Sequence, residues 1–126
     1  MKYFKFWFPL VLYSGIIFYI SSRPNLKPPL EGFSIDKIFH LGEYIPFGFL
    51  LARAFWGLKQ QISDKKLTLI AILGSCLYGM SDEYHQSFVP GRFASGLDVL
   101  ADTLGGFIGA LLFVKLKRHE DKVESS

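Results

Sequence analysis

The chain has 126 residues, 50% of them hydrophobic, with 13 phenylalanines and a formal net charge of +3. It is too apolar and too segmented for an ordinary soluble domain of this length, and four membrane spans would nearly exhaust it, leaving no room for a separate soluble catalytic domain. The positive balance follows from how lysine and arginine flank the apolar segments, so it calls for no nucleic-acid partner.

A helix rising about 1.5 Å per residue through a hydrocarbon core about 30 Å thick needs roughly 20 mostly apolar residues. The first predicted helix covers about residues 4–20. Lys2 and Lys5 precede it as they would precede a signal peptide, but no A-x-A pattern stands before Ser21 and further spans follow, so it reads as a retained helix. A proline-rich connection from Ser21 to about Asp36 leads to the second helix, about 38–56. Arg53 interrupts this apolar run, so full length draws in His40 and Glu43, and Pro46 removes one backbone donor from its middle. The third helix, about 67–86, has a clean apolar run only from Leu67 to Met80, and completing it takes in Asp82 and Glu83. The fourth, about 97–116, extends the run Thr103 to Val114 backwards through Asp102 and Asp98, and a charged tail follows at 117–126. Cys76, the lone cysteine, has no intrachain disulfide partner.

Positive charge is retained on the cytoplasmic side of a membrane. Lys2, Lys5, Arg53, Lys59, Lys65, Lys66, Lys115, Lys117, Arg118 and Lys122 share one side of a four-helix arrangement, against Arg23, Lys27, Lys37 and Arg92 on the other. The expected fold is therefore an all-α polytopic membrane protein with four transmembrane helices and both termini inside. This topology collects the acids at membrane depth near the outer surface, where ionisable groups by default mark a functional site.

On the second helix, Asp36, His40 and Tyr44 are spaced by four and share a face, with Lys37 and Glu43 to either side. Asp98 and Asp102 share a face on the fourth, and Asp82 and Gln86 on the third, with Glu83 beside them and the turn Pro90-Gly91-Arg92 following. One chemistry these residues suit is acid–base work on a lipid-linked head group: His40 or Glu83 handles a proton, Arg92 holds a phosphate, and Asp82 completes the catalytic candidates. Asp36, Lys37, Tyr44, Gln86, Asp98 and Asp102 are then the substrate-binding candidates. A divalent metal held among His40, Asp82, Glu83 and Asp98 is a second reading, although no H-E-x-x-H motif is present. A proton- or ion-coupled transporter and a purely structural, self-paired polar network are the alternatives. Small residues at Ala71, Ser75 and Gly79, and at Gly105 and Gly109, call for close helix contact, within the chain or in a homodimer.

The strings FYISSRP, DKIFHLGEYIPFGFLL and SDEYHQSFVPGRFASGLDVLADTLGGFIGALL resemble the VanZ family of small bacterial membrane proteins, over about Phe18 to Leu112. The family pattern falls on Asp36, Lys37, His40, Tyr44, Asp82, Glu83, Gln86, Pro90, Arg92, Asp98 and Gly105, and departs at Asp102, where the family usually has Asn. The resemblance implies a multi-pass protein of the bacterial inner membrane. Its namesake is associated with resistance to the lipoglycopeptide teicoplanin, which implies an amphiphilic partner at the cell envelope. Lipid-linked cell-wall precursors present polar heads at the same face.

Overall fold

The computed structural model describes residues 2–24, 33–59, 61–92 and 94–126, without the side chains of 33–36. It is all-α: α1 (Lys2–Ser22), α2 (Phe33–Leu58), α3 (Asp64–Gln86) and α4 (Gly96–Ser125). Among the described residues, α1 and α4 are each long and apolar enough to cross a membrane. α2 and α3 carry charged residues within or at the ends of their apolar runs, Glu43 and Arg53 in one, Asp64, Lys65, Lys66, Asp82 and Glu83 in the other.

Contacts between helix ends give the topology. Arg53, late in α2, donates from Nη1 to the backbone carbonyl of Lys5 at the start of α1, 3.2 Å away. Asp64, opening α3, pairs with Lys117 and Arg118 late in α4, at 2.5 and 2.7 Å. Near the opposite end, Gln86 of α3 reaches Ser21 of α1, and His40 of α2 reaches Asp102 of α4. The helices therefore run up, down, up, down. α2 packs against all three others and most extensively on α4, while α1 touches α2 and α3 but not α4 among the described residues.

Glycines make the α2–α4 approach possible. A Cβ on Gly48 would overlap the backbone of Gly106, and one on Gly109 would overlap the carbonyl of Ile45, so these helices meet backbone to backbone. Gly106 also receives the Ser75 side chain of α3, so small residues of α3 and α4 are used inside the chain. Around these contacts lie Leu67, Ala71, Ala110 and Phe113 on one side, and Leu10, Ile17, Tyr44, Phe47 and Leu51 on the other.

Local signals explain the helix ends. Ser63 caps α3, its hydroxyl accepting from the Lys66 N–H at 3.3 Å, an arrangement worth about 1 kcal/mol. After α3 the chain reverses through Val89-Pro90-Gly91-Arg92. The Arg92 N–H returns to the Val89 carbonyl at 3.2 Å, and Gly91 takes a φ of 81°, the left-handed position glycine fills at least cost after a turn proline. α2 continues as helix through Pro46, and α4 continues to Ser125, so the charged stretch 117–126 is helical almost to its end.

Candidate functional site

The end of the bundle opposite Lys5 and Lys117 gathers polar side chains from all four helices. Its centre is the meeting of α2 with α4. Residues four apart on a helix lie on one face, so Asp98 and Asp102 both confront α2. The Nδ1 of His40 stands 2.9 Å from Oδ1 of Asp102, and its Nε2 stands 3.6 Å from Oδ2 of Asp98. Lys37, nearly a turn before His40, forms an ion pair with Oδ1 of Asp98. The close glycine packing just below holds α2 and α4 near enough for these short side chains to meet.

α3 brings Asp82, Glu83 and Gln86 to the same level, all three buried. Glu83 accepts from the backbone N–H of Ser95 through Oε2 at 2.8 Å. Ser95 is the N-cap of α4, so the Glu83 carboxylate on its backbone N–H sits at the positive end of the helix dipole. Oε1 of Glu83 has no hydrogen-bond partner among the described residues. Gln86 donates from Nε2 to Ser21 Oγ at 2.9 Å and to Asp82 Oδ2 at 3.3 Å, tying α3 to the end of α1.

Two further candidates take parts that spacing alone does not indicate. Arg92, the expected counter-ion of the acids, donates instead to backbone carbonyls at the end of α1, from Nε to Arg23 at 3.1 Å and from Nη2 to Ile20 at 3.0 Å. A helix C-terminus leaves carbonyls without internal partners, and a nearby arginine is well suited to satisfy them. Tyr44 lies fully buried against Phe47 and Tyr78, its hydroxyl without a partner among the described residues. The side chain of Asp36 falls outside the described residues. Glu43 contributes its backbone carbonyl, which accepts from the Tyr13 hydroxyl at 2.6 Å. His85 stacks on Phe18 at 4.4 Å between ring centres.

Three residues of the site escape a reading based on charge. Ser21 is the α1 partner of Gln86, and the up-down order of the helices would have brought it there. Ser95 contributes a backbone N–H, which no residue type advertises. Gly79 lies against Asp102, where a Cβ would come within 2.8 Å of Oδ2. The small residue one turn before Asp82 is the available signal for that last contact.

Among the described residues, four buried carboxylates, Asp82, Glu83, Asp98 and Asp102, face the half-buried Lys37 and the buried His40. Removing charge from water is costly unless partners replace it, so the cluster is either completed by a cation or shares protons. Among metal-ligating groups of the described residues, His40, Glu83 and Asp98 each place one donor atom within 4.8 Å of the others. Asp82 is outside that trio and faces Gln86.

A family model described as VanZ/LLP1 matches residues 3–118. No curated protein and no solved structure matches the chain.

Proposed function

The chain belongs to the VanZ/LLP1 family, and from that premise we propose that it crosses the bacterial inner membrane four times and binds the polar head of an amphiphilic envelope molecule at its outer face. The observation that carries this reading is the pairing of a buried polar cluster at one end of the bundle with an apolar exterior. Leu69, Leu73, Leu77, Met80 and Tyr84 are exposed along one side of α3, a continuous stripe that water would not tolerate and lipid would. α1 exposes Phe4, Phe8, Val11, Leu12, Ile16 and Tyr19 in the same way. Positive residues gather at the end away from the cluster, which supports an outward-facing cluster.

The family resemblance supplies two classes of amphiphile: lipid-linked precursors with phosphate heads, and lipoglycopeptides such as teicoplanin. Lys37 and His40 are the groups suited to an anionic head, with Arg92 at the rim. Binding of a fluorescent lipid-linked pyrophosphate and of labelled teicoplanin to the protein in nanodiscs tests the reading. Lys37→Gln and His40→Gln are expected to weaken the bound amphiphile roughly tenfold or more, the usual cost of a lost charged hydrogen bond. Equal affinity in wild type and in both correctly assembled variants, or no binding of either amphiphile, refutes it.

A further inference from the structure

We propose that His40, Glu83 and Asp98 hold one divalent transition-metal ion between α2, α3 and α4. Their donor atoms lie within 4.8 Å of one another, and the three residues are 6%, 5% and 3% exposed. Donors sharing one ion at about 2.1 Å sit roughly 3 to 3.5 Å apart. The 3.6 Å between His40 Nε2 and Asp98 Oδ2 needs only a small side-chain adjustment to reach that range.

An independent observation points the same way. Glu83 is almost wholly buried, its Oε2 is used by Ser95, and its Oε1 has no partner among the described residues. A buried carboxylate oxygen without a donor carries a desolvation penalty. A cation beside His40 and Asp98 removes it. The neighbouring groups also suit a metal site: Asp102, 2.9 Å from Nδ1, is placed to accept a proton from that nitrogen, the tautomer that leaves the Nε2 lone pair for a metal. Such carboxylate–histidine pairs commonly orient metal ligands. Lys37 and Ser95 similarly fix the outer oxygens of Asp98 and Glu83. One imidazole and two carboxylates suit Mn²⁺ or Zn²⁺ better than Ca²⁺, which prefers a larger, all-oxygen shell.

Titration of the full chain in nanodiscs with Mn²⁺ alone, read by electron paramagnetic resonance, tests the site without any amphiphile, so it fails or succeeds apart from the head-group reading. One tight Mn²⁺ per chain is expected, with hyperfine coupling to a histidine nitrogen and displacement by Zn²⁺. Glu83→Gln and Asp98→Asn should each weaken Mn²⁺ at least about tenfold, while Asp64→Asn, at the opposite end of the bundle, should leave it within about twofold. Absence of bound Mn²⁺, absence of nitrogen coupling in the wild type, or unchanged affinity in both ligand variants overturns the proposal. If the variants misassemble, the wild-type nitrogen coupling decides.

Discussion

His40 meets two aspartates on one neighbouring helix, and they are not equivalent. Asp98 shares Lys37, whereas Asp102 is fully buried with Oδ2 unpartnered among the described residues. Asp102→Asn keeps an acceptor for His40 Nδ1 and the same shape against Gly79, so its thermal unfolding in detergent should stay within about 1 kcal/mol of wild type. Asp102→Ala removes the acceptor and leaves a hole, and should cost about 2 to 4 kcal/mol. Asp64, outside the apolar part of α3, gives a pH prediction. The Lys117 hydrogen bond, with Arg118 beside it, holds its carboxyl below the ordinary value of 3.8. Because the folded-state pKa is depressed, the clamp contributes fully above that ordinary value and is lost as pH falls through the lowered one. Asp64→Asn should therefore lower stability at pH 7 by less than about 1 kcal/mol, read as a slightly lower melting temperature, and converge with wild type in strong acid. The acids, Lys37 and His40 were visible in the sequence as groups too polar for their position, and four-residue spacing told which shared a face. Partnerships were not: whether Arg92 finds a carboxylate or a carbonyl depends on how each helix is rotated against its neighbours, which spacing along one helix does not contain.

Helices outlast the apolar windows that announce them. α2 starts at Phe33 and α4 runs to Ser125, because hydropathy reports what a bilayer accepts, whereas helix continuation needs only backbone hydrogen bonds and the absence of a breaker. The small-residue stripes were legible as close-contact surfaces, but the partner of each stripe was not. Gly105 and Gly109 face α2, and Gly106 is pressed by both Gly48 and Ser75. Gly48→Ala and Gly109→Ala each press a methyl group into the backbone of the facing helix, where no flexible side chain can yield. Each should cost about 1 to 3 kcal/mol, read by denaturant titration in mixed micelles. Gly15→Ala and Gly42→Ala, whose added methyl groups meet nothing within 4 Å, should be neutral or slightly stabilising.

The whole molecule is polarised, basic at one end and acidic inside the other, and that division makes its orientation testable. In a Cys76→Ser background on intact cells, Ser87→Cys should react with an impermeant maleimide, and Ser126→Cys should react only after permeabilisation. The reverse pattern would turn the acidic end inward. α4 adds a constraint of its own. Its 30 residues span about 45 Å at 1.5 Å each, half again the thickness of about 30 Å that lipid tails offer. With Lys117 and Arg118 fastened to Asp64, the overhang is fixed at one end only, so the rod cannot slide along its own axis without breaking that clasp. The register of Asp98 and Asp102 against Glu83 on α3 is thereby set from the far side of the protein.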